Sequence, residues 1–139
     1  MITLPQKLMT ASALVIALLG SIHLSYTFRG NKLYPRDTHL EREMHQVSPV
    51  LTRQTTMWKA WIGFNASHGF GAIFFGLIYG YLALVQAELL FHSHYLLLVG
   101  MAMLVGYAFL AKAYWFSIPL VGVLLSTALY VAAFVANWS

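Results

Sequence analysis

Ala60–Ala87 reads AWIGFNASHGFGAIFFGLIYGYLALVQA, a run in which no residue carries a formal charge. Coiled as an α-helix at about 1.5 Å per residue it is roughly 40 Å long, more than the roughly 30 Å hydrocarbon core of a bilayer. The stretch predicts a spanning helix that tilts or protrudes. Upstream, Leu8–Phe28 (LMTASALVIALLGSIHLSYTF) is another uncharged run of spanning length. Lys7 is the only basic side chain before it and no small-x-small pattern closes it, so it reads as a retained span and not as a signal peptide. Downstream, a polar break from Gln86 to His94 precedes a third apolar run, and Lys112 separates that run from a fourth beyond Tyr114-Trp115-Phe116. The expected fold class is all-α, an integral membrane four-helix bundle. It forms a single transmembrane domain over residues 1–139 with spans near 8–28, 58–86, 95–111 and 117–136 and a loop over 29–57.

Composition agrees with this reading. Hydrophobic residues make up 60% of the chain and charged residues only 9%, against roughly 25% charged in a typical soluble domain. The absence of cysteine excludes disulfides, thiolate metal sites and a cysteine nucleophile. The net charge of +4 does not form the basic stripe that nucleic acid would need, so no nucleic-acid partner is expected. Arg29, Lys32, Arg36, Arg42, Arg53, Lys59 and Lys112 fall on one side of the predicted spans and only Lys7 on the other. By the positive-inside rule the first loop is expected in the cytoplasm and both termini in the periplasm. Tyr26, Trp58, Trp61, Tyr114 and Trp115 mark one interface, and Tyr95 and Trp138 the other.

Within the loop, Asp37 or Thr38 is expected to cap a short surface helix through about Gln46, with Leu40, Met44 and Val47 at helical spacing. Ser48-Pro49 then offers an N-cap followed by proline at the first helical position, which predicts that the second long helix starts there.

Lipid tails are as apolar as leucine, so helices in a membrane associate through small residues and hydrogen bonds. Such positions recur every three or four residues on the second span (Asn65, His68, Gly69, Ala72, Gly76, Tyr79, Gly80, Ala83), where Gly76 and Gly80 form a G-x-x-x-G. Ser12, Gly20, His23 and Thr27 do so on the first, Gly100, Tyr107 and Ala111 on the third, and Pro119, Gly122, Ser126 and Tyr130 on the fourth. These stripes predict the packed faces, and equally a pocket lined by hydroxyls and imidazoles at the loop end.

A histidine inside a span is costly and marks a functional candidate. His23 lies five residues before Phe28 and His68 ten after Trp58, a depth difference of roughly 7 Å. With Tyr26, Asn65 and Tyr107 they form the expected ligand-binding set for the head of a lipid, quinone or isoprenoid. A b-type haem held by His23 and His68 is the alternative cofactor, against which the depth offset argues. No carboxylate falls inside a span, so an internal general base would have to be histidine. His92 and His94 have H-x-H spacing near Glu88, but two or three loop residues make a weak metal signal and a solvated turn explains them better; no metal site is assigned. No role attaches to His39 or His45.

Pro35-Arg36-Asp37, Val47-Ser48-Pro49, Thr52-Arg53-Gln54-Thr55-Thr56-Met57-Trp58 and above all Trp61-Ile62-Gly63-Phe64-Asn65-Ala66-Ser67-His68-Gly69 resemble a group of small bacterial four-span membrane proteins without an assigned activity. The resemblance extends through Ala111-Lys112-Ala113-Tyr114-Trp115-Phe116. A more distant similarity to DoxX-like four-helix proteins rests on architecture. The first resemblance implies a bacterial inner membrane and draws attention to the loop and the start of the second helix. Two functions follow as expectations. One is a small membrane protein that binds a lipophilic ligand, or an accessory subunit whose partner is another membrane protein or a second copy. The other is an intramembrane enzyme or haem redox protein using His23 and His68.

Overall fold

A computed structural model describes residues 1–138. Six helices follow in order: α1 (Leu4–Phe28), α2 (Thr38–Gln46), α3 (Met57–Val85), α4 (Ala87–His92), α5 (His94–Tyr114) and α6 (Ser117–Trp138), with no strand among the described residues. Of these, α1, α3, α5 and α6 are long and apolar enough to cross a membrane. The protein is an all-α, four-span membrane bundle.

Local chemistry explains where the helices begin. α1 starts four residues before the uncharged run because Thr3 and Gln6 form half of a capping box: the Gln6 side-chain oxygen Oε1 accepts from the Thr3 main-chain N–H at 2.8 Å. It ends at Phe28, where Gly30 takes the left-handed conformation (φ 79°) that glycine adopts without steric cost. α2 matches expectation, with the Asp37 carboxylate accepting from the His39 N–H at 2.8 Å. α3 does not start at Ser48-Pro49. Residues 47–56 are irregular, because Thr52 and Thr56 spend their hydroxyls on nearby main-chain N–H groups, of Gln54 at 3.1 Å and Lys59 at 3.3 Å. Such side-chain bonds compete with helix and favour turns and caps. Thr56 therefore takes the capping role assigned to Ser48. α5 continues through Lys112 to Tyr114, past the end expected at 111, since one exposed lysine in the last turn suits the negative end of the helix. The polar break before it contains α4, which buries Leu90 and Phe91.

The chain forms two compact units, one of Met1–Leu19 with Ala72 onward and one of Gly20–Gly71. In the first, the start of α1, the end of α3, and α5 and α6 make a four-helix bundle closed by α4. Its core includes Met9, Ile16, Phe75, Leu90, Leu104 and Tyr130. The predicted stripes are its packed faces: Ser12, Ala72, Tyr79, Ala83, Ala111 and Ser126 are all buried. At Gly76 the backbones of α1 and α3 nearly touch, since a Cβ there would lie 2.5 Å from Ala17 Cβ and 2.6 Å from the Ala13 carbonyl oxygen. Ser12 and Ser126 are fully buried and exchange bonds across the bundle, each hydroxyl donating to the other's carbonyl at 2.8 and 3.0 Å. Tyr79 and Tyr130 donate to consecutive α5 carbonyls, Leu96 at 2.6 Å and Leu97 at 3.0 Å. Gly100 leaves room for both rings.

The second unit holds the end of α1, the loop with α2, and the start of α3. Trp61 donates its indole N–H to the Leu33 carbonyl at 3.0 Å. Trp58 packs between Tyr34 (ring centres 4.7 Å) and His45 (4.8 Å). The first turns of α3 thus stand among loop residues beyond the end of α1, which absorbs the excess length of this helix.

Candidate functional site

That protrusion decides where the histidines meet. His23 sits on α1 five residues before its end, and His68 on α3 eleven residues after its start. Counted inward from the helix ends they differ in depth, yet their rings lie 5.2 Å apart at an interplanar angle of 87°, an edge-to-face contact. The offset expected from residue counting is cancelled by the turns of α3 that Trp58 and Trp61 hold in the loop. One residue beyond His68, Gly69 lets the helices close: a Cβ there would be 3.2 Å from Leu24 Cβ and 3.3 Å from the Gly20 carbonyl oxygen.

Asn65, one turn before His68, is the polar neighbour of the His23 ring through both its side chain and its main chain. Its own amide N–H donates to the Trp61 carbonyl at 2.8 Å, which fixes the amide and leaves its oxygen as the acceptor. His23 Nε2 is enclosed and has no hydrogen-bond partner. A buried acceptor left unmade costs about 1–3 kcal/mol. Two hydroxyls near the pair in sequence are committed elsewhere: Thr27 donates to the His23 carbonyl at 2.9 Å and Ser67 to the Phe64 carbonyl at 2.9 Å. Residues 8–28 and 60–87, the stretches of α1 and α3 that carry the pair, contain no lysine, arginine, aspartate or glutamate.

Tyr26, three residues after His23, is 46% exposed and sits toward the loop end. Tyr107 belongs to the other unit, where it packs against the bundle core. His23, Asn65 and His68 are thus the members of the expected set that the second unit brings into contact.

These residues do not fit a haem held by both histidines. Two axial imidazoles with Fe–N bonds of about 2 Å would hold their ring centres roughly 6 Å apart on opposite faces of a macrocycle. The rings here are closer and edge to face, and the helices behind them are in backbone contact at Gly20 and Gly69. Elsewhere, His92 turns its Nδ1 to the Glu88 carbonyl at 2.9 Å while His94 faces Trp138 with ring centres 6.2 Å apart. The H-x-H pair therefore engages two different partners, and no cluster of three or more potential metal ligands occurs among the described residues.

One feature was not legible in the sequence. His94, Leu97, Leu98, Met101, Tyr130 and Phe134 line an apolar groove of about 240 Å³ between α5 and α6. Of its lining residues only Tyr130 falls on a stripe the sequence marks, and the others except His94 read there as ordinary apolar positions of a span.

No protein family, curated protein or solved structure matches this chain.

Proposed function

We propose that this protein binds a lipophilic ligand within the membrane and holds the ligand's polar head at His23 and Asn65, where α1 and α3 meet in the unit that carries the basic loop. The single observation carrying this reading is the enclosed, unpartnered Nε2 of His23 beside His68 and Asn65, within the uncharged stretches 8–28 and 60–87. An imidazole acceptor retained in an apolar setting at a cost of about 1–3 kcal/mol is accounted for when a ligand completes it. The ligand's tail is a bilayer-soluble chain, because only 28% and 33% of the most apolar windows of α1 and α3 are buried by protein and lipid meets the rest. The bundle lies in a bacterial inner membrane with its basic loop in the cytoplasm and both termini in the periplasm, as the distribution of lysine and arginine supports.

Native mass spectrometry of the protein released from its own membranes tests the reading. A co-purifying small molecule is expected on the wild type and reduced on His23→Phe, which keeps an aromatic ring but removes the acceptor. A wild type that carries nothing and takes up no lipophilic probe would end it.

A further inference from the structure

Given a ligand at His23, the tautomer of that ring decides what the ligand must carry. Asn65 presents oxygen to the ring from both main chain and side chain, because its amide nitrogen is committed to the Trp61 carbonyl. Oxygen acceptors call for a ring N–H. Nε2 has no partner, so the proton shared with Asn65 sits on Nδ1 and Nε2 presents a lone pair. A neutral imidazole has one donor and one acceptor, and here the donor is already used.

We infer that His23 receives the hydroxyl of an uncharged lipophilic alcohol or phenol, whose O–H donates to Nε2; this rests on the ligand site proposed above. An ionised carboxylate or phosphate brings only acceptors and would set lone pair against lone pair. A quaternary ammonium brings no donor at all. A primary ammonium could donate, but no carboxylate on either helix meets its charge, and burying an unpaired charge is far costlier than burying a hydroxyl. Nε2 is enclosed, so the alcohol reaches it by displacing side chains packed over it; the His68 ring stands edge to face with His23 at 5.2 Å. Water offers the same O–H chemistry, and the experiment must tell the two apart.

The full-length protein, labelled with ¹⁵N-histidine and placed in nanodiscs, is titrated with dodecanol, with its methyl ether and with laurate. Dodecanol is expected to move the His23 Nε2 resonance saturably, and to bind roughly tenfold better than the ether, the worth of one hydrogen bond to a buried acceptor. If the ether binds as well as the alcohol, or laurate binds better, a ligand site stands and the hydroxyl assignment falls. If Nε2 is already hydrogen-bonded before any addition and dodecanol leaves it unmoved, water fills the position and the inference is overturned. If no probe binds, the ligand site falls with it. Asn65→Leu, which frees the Nδ1 proton, is expected to erase the preference for alcohol over ether; the wild-type series decides the matter even if that variant does not fold.

Discussion

Replacing Gly76 with alanine adds one methyl group where none fits. Its Cβ would lie 2.5 Å from Ala17 Cβ and 2.6 Å from the Ala13 carbonyl oxygen, and the second of these is main chain that cannot swing aside. To restore ordinary contact, α1 and α3 must part by about 0.5–1 Å at that crossing, a gap that forfeits a quarter to a half of each dispersion well. About 25 atom pairs at about 0.15 kcal/mol each make that crossing worth roughly 4 kcal/mol, so the gap costs about 1–2 kcal/mol. Strain from overpacking adds about 1–3 kcal/mol, and the better helix propensity of alanine returns at most about 1 kcal/mol. A net loss of about 2–3 kcal/mol is expected, some 30- to 150-fold in the folding equilibrium. Gly80, the other half of the G-x-x-x-G, faces Ala13 Cβ at 3.8 Å, an ordinary contact, so Gly80→Ala is expected to be neutral or slightly stabilising. Titrating SDS into the protein in mild detergent, followed by far-ultraviolet circular dichroism, compares the two directly. A Gly76→Ala protein that unfolds with the wild type, or a Gly80→Ala protein that loses as much, would refute the reasoning.

Four further outcomes follow from the same contacts. Ser126→Ala leaves the Ser12 hydroxyl its bond to the Ser126 carbonyl, so the same titration should register only about 0.5–1 kcal/mol. Asp37→Ala removes the cap of α2, a loss of about 1 kcal/mol that should expose Arg42 to trypsin several-fold faster. Trp61→Phe keeps the ring but loses the bond to the Leu33 carbonyl; cleavage across residues 29–56 should accelerate while the melting of the bundle changes little. Because the chain has no cysteine, Gln54→Cys and Glu88→Cys report orientation cleanly: an impermeant maleimide added to intact cells should label the second and spare the first.

The four spans were legible because a bilayer tolerates so few charges that uncharged runs of spanning length have almost no other reading. The buried stripe was legible for a related reason: small and hydroxyl-bearing residues are what membrane helices pack with, and Ser12, Gly76, Tyr79 and Ser126 all lie at helix contacts. The start of α3 was misread because Ser48-Pro49 is a sound cap taken alone, whereas Thr52 and Thr56 divert the main chain by bonds that a sequence pattern does not rank. That His23 and His68 lie level with one another was hidden for a deeper reason. Relative height of two helices is a tertiary quantity, set by Trp58 and Trp61 gripping the loop, and counting residues from each end assumes the ends are level.

Consecutive carbonyls point about 100° apart around a helix axis, and α5 is held at two of them by hydroxyls from two different helices, Tyr79 of α3 and Tyr130 of α6. Two anchors at different azimuths remove two freedoms at once: α5 can neither roll about its axis nor slide along it without breaking both bonds. What remains is bending away from the anchored turn, toward the exposed Lys112–Tyr114. Any motion of this helix on the microsecond to millisecond scale of membrane proteins is therefore a flexing of its C-terminal half against the anchored turn, and a spin label near residue 113 should report more mobility than one near residue 98.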